Sequence, residues 1–269
     1  MTQEPGSSAA DLVITRIDAR GDAGRVAFVT VNNPERRNSL GIAGKKRIAE
    51  TFSRLAADEA LRAAVLTGAG EKSFIAGADL AEMKDLDAAG AEEEHTWTHR
   101  ACDAIRRLPV PVIARINGYC FGAGMELAAS CDLRVGVTTA RFGMPEVRFG
   151  IPSGMEACLL PLLVGWGKAR ELVYTGDAIG GAEAFRIGFL EKFVDPPELD
   201  AAVDAWLESI VAAGPRAIRL QKALIADWER LPLAEAVAAG IRACVAARTT
   251  DEPRRMMGAF FEKRKKPEE

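Results

Sequence analysis

Apolar and polar positions change rhythm several times along the 269 residues. Residues 11–18 (DLVITRID) and 25–31 (RVAFVTV) are short runs rich in Val, Ile and Thr, separated by Arg20-Gly21-Asp22-Ala23-Gly24. Branched runs broken by a glycine-bearing turn predict a β-hairpin. Residues 34–41 (PERRNSLG) are polar and turn-like. From about Ala43 to Asp58 the spacing becomes helical, with Ile42, Ile48, Ala49, Phe52, Leu55 and Ala56 supplying the apolar face. Ala63–Thr67 (AAVLT) reads as a buried strand closed by Gly68-Ala69-Gly70.

The rhythm then repeats loosely. A glycine loop over 75–79 precedes a charged helical stretch, 91–108. Pro109 and Pro111 bound it and introduce a strand over 112–117 (VIARIN). Another glycine turn opens a helix over 122–131, and a strand follows over 132–137 (DLRVGV). Short strands alternating with helices predict an α/β fold. After Pro145 the pattern is helical, with helices expected over 155–175, 181–187, 199–212, 215–230, 232–248 and 251–265, and no strong strand beyond residue 140. Pro196-Pro197 divides the chain into 1–197 and 198–269. The second part is too short to bury much core alone, so it is expected to pack on its own main domain or on a neighbouring subunit.

Composition narrows the function. The chain has 35 Lys+Arg against 38 Asp+Glu, a net charge of −3, and lacks the basic excess of a duplex-binding surface. No apolar run reaches the roughly 20 residues of a membrane helix, and residues 1–10 lack the charged and apolar regions of a signal peptide. Five Cys without a CxxC pair fit a reducing compartment, hence the cytoplasm, and each is expected to be a buried small hydrophobe. His95 and His99 stand four apart without a third ligand in a recognisable pattern, so no metal site is expected. Arg254, Arg255 and Lys263–Lys266 form either a solvated helix end or an anionic ligand site.

Three segments carry candidate chemistry. In Phe74–Leu80 (FIAGADL) a glycine lets backbone approach a ligand, and free N–H groups open a helix at Asp79. In Asn117–Ala128 (NGYCFGAGMELA) a small-residue turn opens a helix with Glu126 in its first turn. In Phe142–Val147 (FGMPEV) Glu146 stands in an otherwise apolar stretch. Two amide N–H groups from separate loops can bind one carbonyl oxygen, and aimed at a thioester they stabilise an enolate. Two carboxyls beside the adjacent carbons can then move protons.

Phe74–Met83 (FIAGADLAEM), Asn117–Asp132 (NGYCFGAGMELAASCD) and Phe142–Gly150 (FGMPEVRFG) resemble the three signature stretches of the enoyl-CoA hydratase/isomerase (crotonase) superfamily. The likeness runs from the opening hairpin to Phe260-Phe261-Glu262-Lys263-Arg264. It implies a spiral of ββα units followed by a helical C-terminal part that makes trimers, often paired into hexamers. It also implies an acyl-CoA thioester substrate, no metal and no redox cofactor. By motif match the oxyanion-hole donors are the backbone N–H groups of Ala78 and Ala123, the latter where the family commonly has Gly. Ala76, Gly77, Ala78, Asp79 and Leu80 would line the CoA side, with the Ala76 carbonyl near the adenine, and Gly122 would border the site. Phe260 and Lys263 match tail positions that reach the CoA of an adjacent subunit. Ser39 sits where the first loop meets the CoA, and Arg36 or Arg37 would pair with phosphates.

The carboxylates select the branch. Hydratases of the superfamily carry two Glu, matching Glu126 and Glu146, whereas relatives that isomerise, hydrolyse or dehalogenate often replace one or both. The resemblance thus implies hydration of a 2-trans-enoyl-CoA to a 3-hydroxyacyl-CoA, with Glu126 activating water and Glu146 delivering a proton to Cα. After Glu146 the common Gly-Gly-Thr-Gln-Arg-Leu stretch is replaced by Gly150–Leu160 (GIPSGMEACLL). Ser153 or Gly154 would place the water, and Glu156 is an additional carboxylate. The altered stretch keeps a second reading open, isomerisation or dehydration of an unusual acyl-CoA. A non-enzymatic RNA-binding member of the superfamily is the third reading, which the acidic balance and the Glu pair disfavour.

Overall fold

A computed structural model describes residues 12–265, with side chains as far as Glu262. The chain runs β1 (Val13–Ala19), β2 (Arg25–Val31), α1 (Ile42–Leu55), β3 (Leu61–Gly68), β4 (Ser73–Ile75), α2 (Leu80–Met83), α3 (Ala88–Arg106), β5 (Val112–Ile116), β6 (Tyr119–Phe121), α4 (Ala123–Ala129), β7 (Leu133–Val137) and β8 (Arg141–Gly143). It continues through α5 (Leu160–Thr175), β9 (Ile179–Gly180), α6 (Gly181–Arg186), β10 (Lys192–Val194), α7 (Leu199–Ala212), α8 (Pro215–Trp228), α9 (Leu233–Ala247) and α10 (Glu252–Lys265). Short 3₁₀ turns link several of these, among them Glu146–Phe149 and Met155–Leu159.

Two sheets result. The larger has the order β1-β2-β3-β5-β7-β10 and is parallel apart from the β1–β2 hairpin, which runs in register from Val13↔Val31 to Ala19↔Arg25. The smaller has the order β4-β6-β8-β9 and is parallel apart from β8–β9. Each pass of the chain therefore leaves one strand in each sheet, β3 then β4, β5 then β6, β7 then β8. This is the spiral of ββα units.

The residues explain the layers. Every residue of β3 (LRAAVLTG) is buried, as a central parallel strand covered on both faces requires. β1 is an edge strand with mostly exposed residues. α1 buries Ile48, Ala49, Phe52 and Leu55, and α3 buries Thr98, Ala101, Cys102 and Ile105, so the two helices pack along apolar stripes of helical period. Two buried amides hold the loops between the sheets. Asn38 Nδ2 donates to the Ala69 and Ser73 carbonyls at 3.0 and 2.8 Å, and Asn117 Nδ2 donates to the Gly68 and Gly70 carbonyls at 2.9 and 2.6 Å. Unmade, such bonds would leave buried polar atoms at a cost of about 1–3 kcal/mol each.

Three sequence expectations are corrected. Strands do occur beyond residue 140, namely β8, β9 and β10. They were invisible because two or three residues cannot show alternation. The stretch 155–175 is not one helix: a 3₁₀ turn comes first, and α5 breaks at Gly165, whose φ is +76°. Cys102, Cys120 and Cys131 are buried, but Cys158 and Cys244 are exposed.

The chain forms two compact units that meet in sequence at Trp206 and Leu207, within α7. In the second unit α8 packs on α9, and the first turn of α8 is satisfied by one side chain: buried Glu252 accepts from the Arg216 and Ala217 N–H groups at 3.1 and 3.0 Å. No helix among the described residues is long and apolar enough to cross a membrane.

Candidate active site

The three signature segments follow the ends of three neighbouring parallel strands. Ala76-Gly77-Ala78 leaves β4, Gly122-Ala123 leaves β6, and Met144-Pro145-Glu146 leaves β8. Parallel pairing brings all three exits to one edge of the sheet. They border a cavity of about 400 Å³, within the size range of small-molecule sites.

Local geometry holds the two amide-bearing turns together. Leu40 N–H donates to the Gly77 carbonyl at 2.9 Å and Asp79 N–H donates to the Leu40 carbonyl at 3.0 Å. These bonds bracket Ala78, whose own N–H faces the other way. Gly122 caps α4 with φ +51°, a conformation that L side chains rarely adopt. A Cβ on Gly122 would lie 2.5 Å from Glu146 Oε1 and 4.0 Å from Gly77 Cα, so this glycine also makes room for the carboxylate. A Cβ on Gly124 would lie 2.1 Å from the Ile75 carbonyl oxygen, so α4 can sit this close to β4 only with glycine there. Ala123 is the first residue of α4, where an N–H has no helical partner. Neither the Ala78 nor the Ala123 N–H makes a hydrogen bond among the described residues, and both residues line the cavity.

Glu126 and Glu146 line the same cavity. Glu126 is buried, and its Oε1 accepts from Ala157 N–H at 3.1 Å. Burial is the main force raising its pKa, to about 8, and the charges of Glu146 and Glu156 add to it; the Ala157 bond and Lys45 oppose. Glu146 opens a 3₁₀ turn, is half-buried, and accepts from Ser153 Oγ at 2.8 Å through Oε2. The site thus holds one carboxyl that keeps its proton near neutrality beside a second carboxyl with a hydroxyl donor.

Of the other expected residues, Ala76, Gly77, Leu80, Gly122 and Gly154 line the cavity. Ser153 acts on it through Glu146. Asp79 caps α2 by accepting from Ala81 N–H at 3.0 Å and pairs with the exposed Arg36 at 2.8 Å, so it stands behind the Ala78 loop rather than in the cavity. Ser39 is half-buried outside the lining, its carbonyl accepting from Asn33 Nδ2 at 3.2 Å. Phe260 is exposed on α10, edge-on to Phe261 in the second unit. The Lys263 side chain lies outside the described residues. Glu156 is buried but does not line the cavity; its Oε1 lies 2.7 Å from His99 Nδ1.

Sequence reasoning missed one wall. Lys45 of α1 and Glu94, His95 and Thr98 of α3 line the cavity together with Met83, Phe149 and Met155. Lys45 and Glu94 are buried and form an ion pair across α1 and α3. Burial lowers the Lys45 pKa to about 8 despite the charge of Glu126. The His95 pKa is lowered by burial and then by Lys45, so its ring is neutral at neutral pH. A Lys and a Glu on two amphipathic helices read as solvated positions, and only their place on the buried stripes, Lys45 three residues before Ile48 and Glu94 four before Thr98, marked them otherwise. Among the described residues no group of three or more His, Cys, Asp or Glu is arranged to hold a metal ion.

The family model for enoyl-CoA hydratase/isomerase matches residues 21–268. A short-chain-enoyl-CoA hydratase of Clostridium acetobutylicum is 37% identical over 243 residues, spanning 90% of this chain and 93% of that protein. A crotonyl-CoA hydratase of Syntrophomonas wolfei is 38% identical over 247 residues, with 90% and 93% covered. A crystal structure of an enoyl-CoA hydratase from Bacillus anthracis matches with a TM-score of 0.88 at 31% identity, covering 93% of this chain and 96% of that one. The fold, the convergence of the three loops and these likenesses agree, and the chain belongs to the enoyl-CoA hydratase/isomerase family.

Proposed function

We propose that the chain catalyses the reversible hydration of a 2-trans-enoyl-CoA to a 3-hydroxyacyl-CoA. The observation that carries this reading is the meeting of four groups in one cavity: the unused amides of Ala78 and Ala123 and the carboxyls of Glu126 and Glu146. The thioester oxygen accepts from both amides, which stabilise the enolate as charge moves onto that oxygen. Each such donor is worth about 3–4 kcal/mol in the transition state. Glu126 takes a proton from water, the water oxygen bonds to C3, and Glu146 gives its proton to C2. One turnover therefore moves a proton from Glu146 to Glu126, and dehydration moves it back. The raised pKa of Glu126 supports a resting state with the proton on Glu126, which is the state from which dehydration starts. Hydration starts once that proton has passed to Glu146 through the water held between the two carboxyls.

The CoA portion is assigned to the Ala76–Leu80 side, with Arg36 held by Asp79 as a cation for its phosphates. Phe260 and Lys263 are assigned to the CoA bound by an adjacent subunit of a homotrimer or hexamer. The reaction is written without a cofactor, coenzyme A being part of the substrate. Exposed, unpaired Cys158 and Cys244 support a reducing cytoplasm. The test is to follow loss of enoyl-thioester absorbance with crotonyl-CoA. Replacing Glu126 or Glu146 by Gln is expected to slow hydration about 10²–10⁴-fold with the circular dichroism spectrum unchanged. Full rates in both variants would overturn the reading. Conversion of 3-enoyl thioesters in place of hydration would favour an isomerase, and salt-dependent RNA binding without turnover the non-enzymatic alternative.

A further inference from the structure

The hydration reading leaves the α1–α3 wall of the cavity unexplained. With the thioester oxygen at Ala78 and Ala123 and with C2 and C3 between Glu126 and Glu146, whatever the acyl group carries beyond C3 must enter the rest of the cavity. Much of that lining is apolar, from Met83, Phe121, Phe149, Ile151 and Met155. Lys45 and Glu94 interrupt it. A purely apolar tail would be served better by apolar residues there, because a buried ion pair is seldom more stabilising than well-packed hydrophobic side chains.

The pair also has unused bonding capacity. An ammonium has three donors, and Lys45 Nζ uses one, on Glu94 Oε1. Glu94 is 2% exposed, and its Oε2 is buried and accepts no hydrogen bond among the described residues. His95 Nδ1 lies 2.6 Å from that oxygen, but the ring is turned so that no hydrogen bond forms between them, and Nδ1 too is unsatisfied. Both atoms are closed to solvent, and an apolar tail packed against them would leave them without a partner, at their desolvation cost. A carboxylate on the tail would meet Lys45 but also the negative Glu94, and a cation would meet the reverse. The pair sums to zero charge and presents a donor beside an acceptor. A hydroxyl, one donor and one acceptor, complements it.

We infer that this enzyme is built for acyl-CoA thioesters that carry a hydroxyl beyond C3, whose oxygen accepts from Lys45 Nζ and whose proton is donated to Glu94 Oε2. This rests on the hydration reading and deepens it by naming the substrate class. The test compares trans-2-hexenoyl-CoA with its 4-, 5- and 6-hydroxy forms and with trans-2-hexenedioyl-CoA, as kcat/KM for hydration. One hydroxylated form is expected to exceed the plain chain and the diacid by about tenfold or more. The same preference is expected in calorimetric titration with saturated 5- and 6-hydroxyhexanoyl-CoA against hexanoyl-CoA, which reads the subsite without turnover. In K45M/E94M the preference is expected to vanish. Equal constants for plain and hydroxylated thioesters in the wild-type protein, or a lead for the diacid, would overturn the inference while leaving hydration intact. Absence of hydration with every thioester, alongside a retained binding preference, would overturn the hydration reading and not the subsite.

Discussion

The two walls of the cavity were built by different means. The wall bearing Ala78, Ala123, Glu126 and Glu146 comes from loops that leave three adjacent parallel strands, and backbone geometry does most of the work there. The α1–α3 wall comes from side chains on two helices packed through a buried Lys45–Glu94 pair. The proposed chemistry draws on the first wall, where main-chain amides are indifferent to the side chain. The proposed discrimination among substrates draws on the second, where side chains form the surface.

Substitutions can break this contrast. The largest expected effect is on the helical wall. K45M leaves Glu94 buried and unpaired and is expected to lower stability by about 3–5 kcal/mol, whereas K45M/E94M recovers most of the loss. Urea unfolding of the two variants checks this, and equal losses would show that the pair is not a unit. On the loop wall, G122A forces a side chain into φ +51° and against Glu146 Oε1. A cost of about 2 kcal/mol in stability is expected, together with a displaced carboxylate and slower hydration. If G122A leaves both stability and rate unchanged, the role given to this glycine is wrong.

An effect smaller per pH unit follows from the buried proton. The folded protein holds the proton on Glu126 to about pH 8, while the ordinary value is 4.5. Between these values the folded state binds more protons than the unfolded, so stability falls as pH rises, by up to about 1.4 kcal/mol per pH unit. E126Q is expected to flatten that slope in unfolding measured from pH 5 to 8. Lys45 acts above this window with the opposite sign, since its ammonium is lost at about 8 in the folded protein and at 10.5 otherwise. The smallest effect expected is that of S153A, which removes the 2.8 Å bond to Glu146 and should slow hydration about fivefold, or about 1 kcal/mol.

The same contrast explains what could be read from the sequence. The opening hairpin, α1, β3 and β5 were legible because each has enough residues to show its period. The glycine turns were legible because Gly122 and Gly124 stand where a Cβ has no room. Strands β4, β6, β8 and β9 have two or three residues each, too few for a pattern, yet three of them aim the loops that border the cavity. Glu126 and Glu146 stand in recognisable motifs and both line the cavity, and Ser153, after Glu146 in the chain, donates to it. Lys45 and Glu94 were missed because helical periodicity identifies a face, not the partner a charge meets across the fold. Glu156 illustrates the converse. The sequence marks it as an extra carboxylate, and in the fold it is tied to His99 outside the cavity.

The most direct measurement of the central claim is isotopic. Crotonyl-CoA is incubated with the enzyme in D₂O enriched in ¹⁸O, and the product is read by mass spectrometry and NMR. The account predicts 3-hydroxybutyryl-CoA with the heavy oxygen at C3 and one deuterium at C2, and its near disappearance in both E126Q and E146Q. Labelled product formed at undiminished rate by either variant would contradict it.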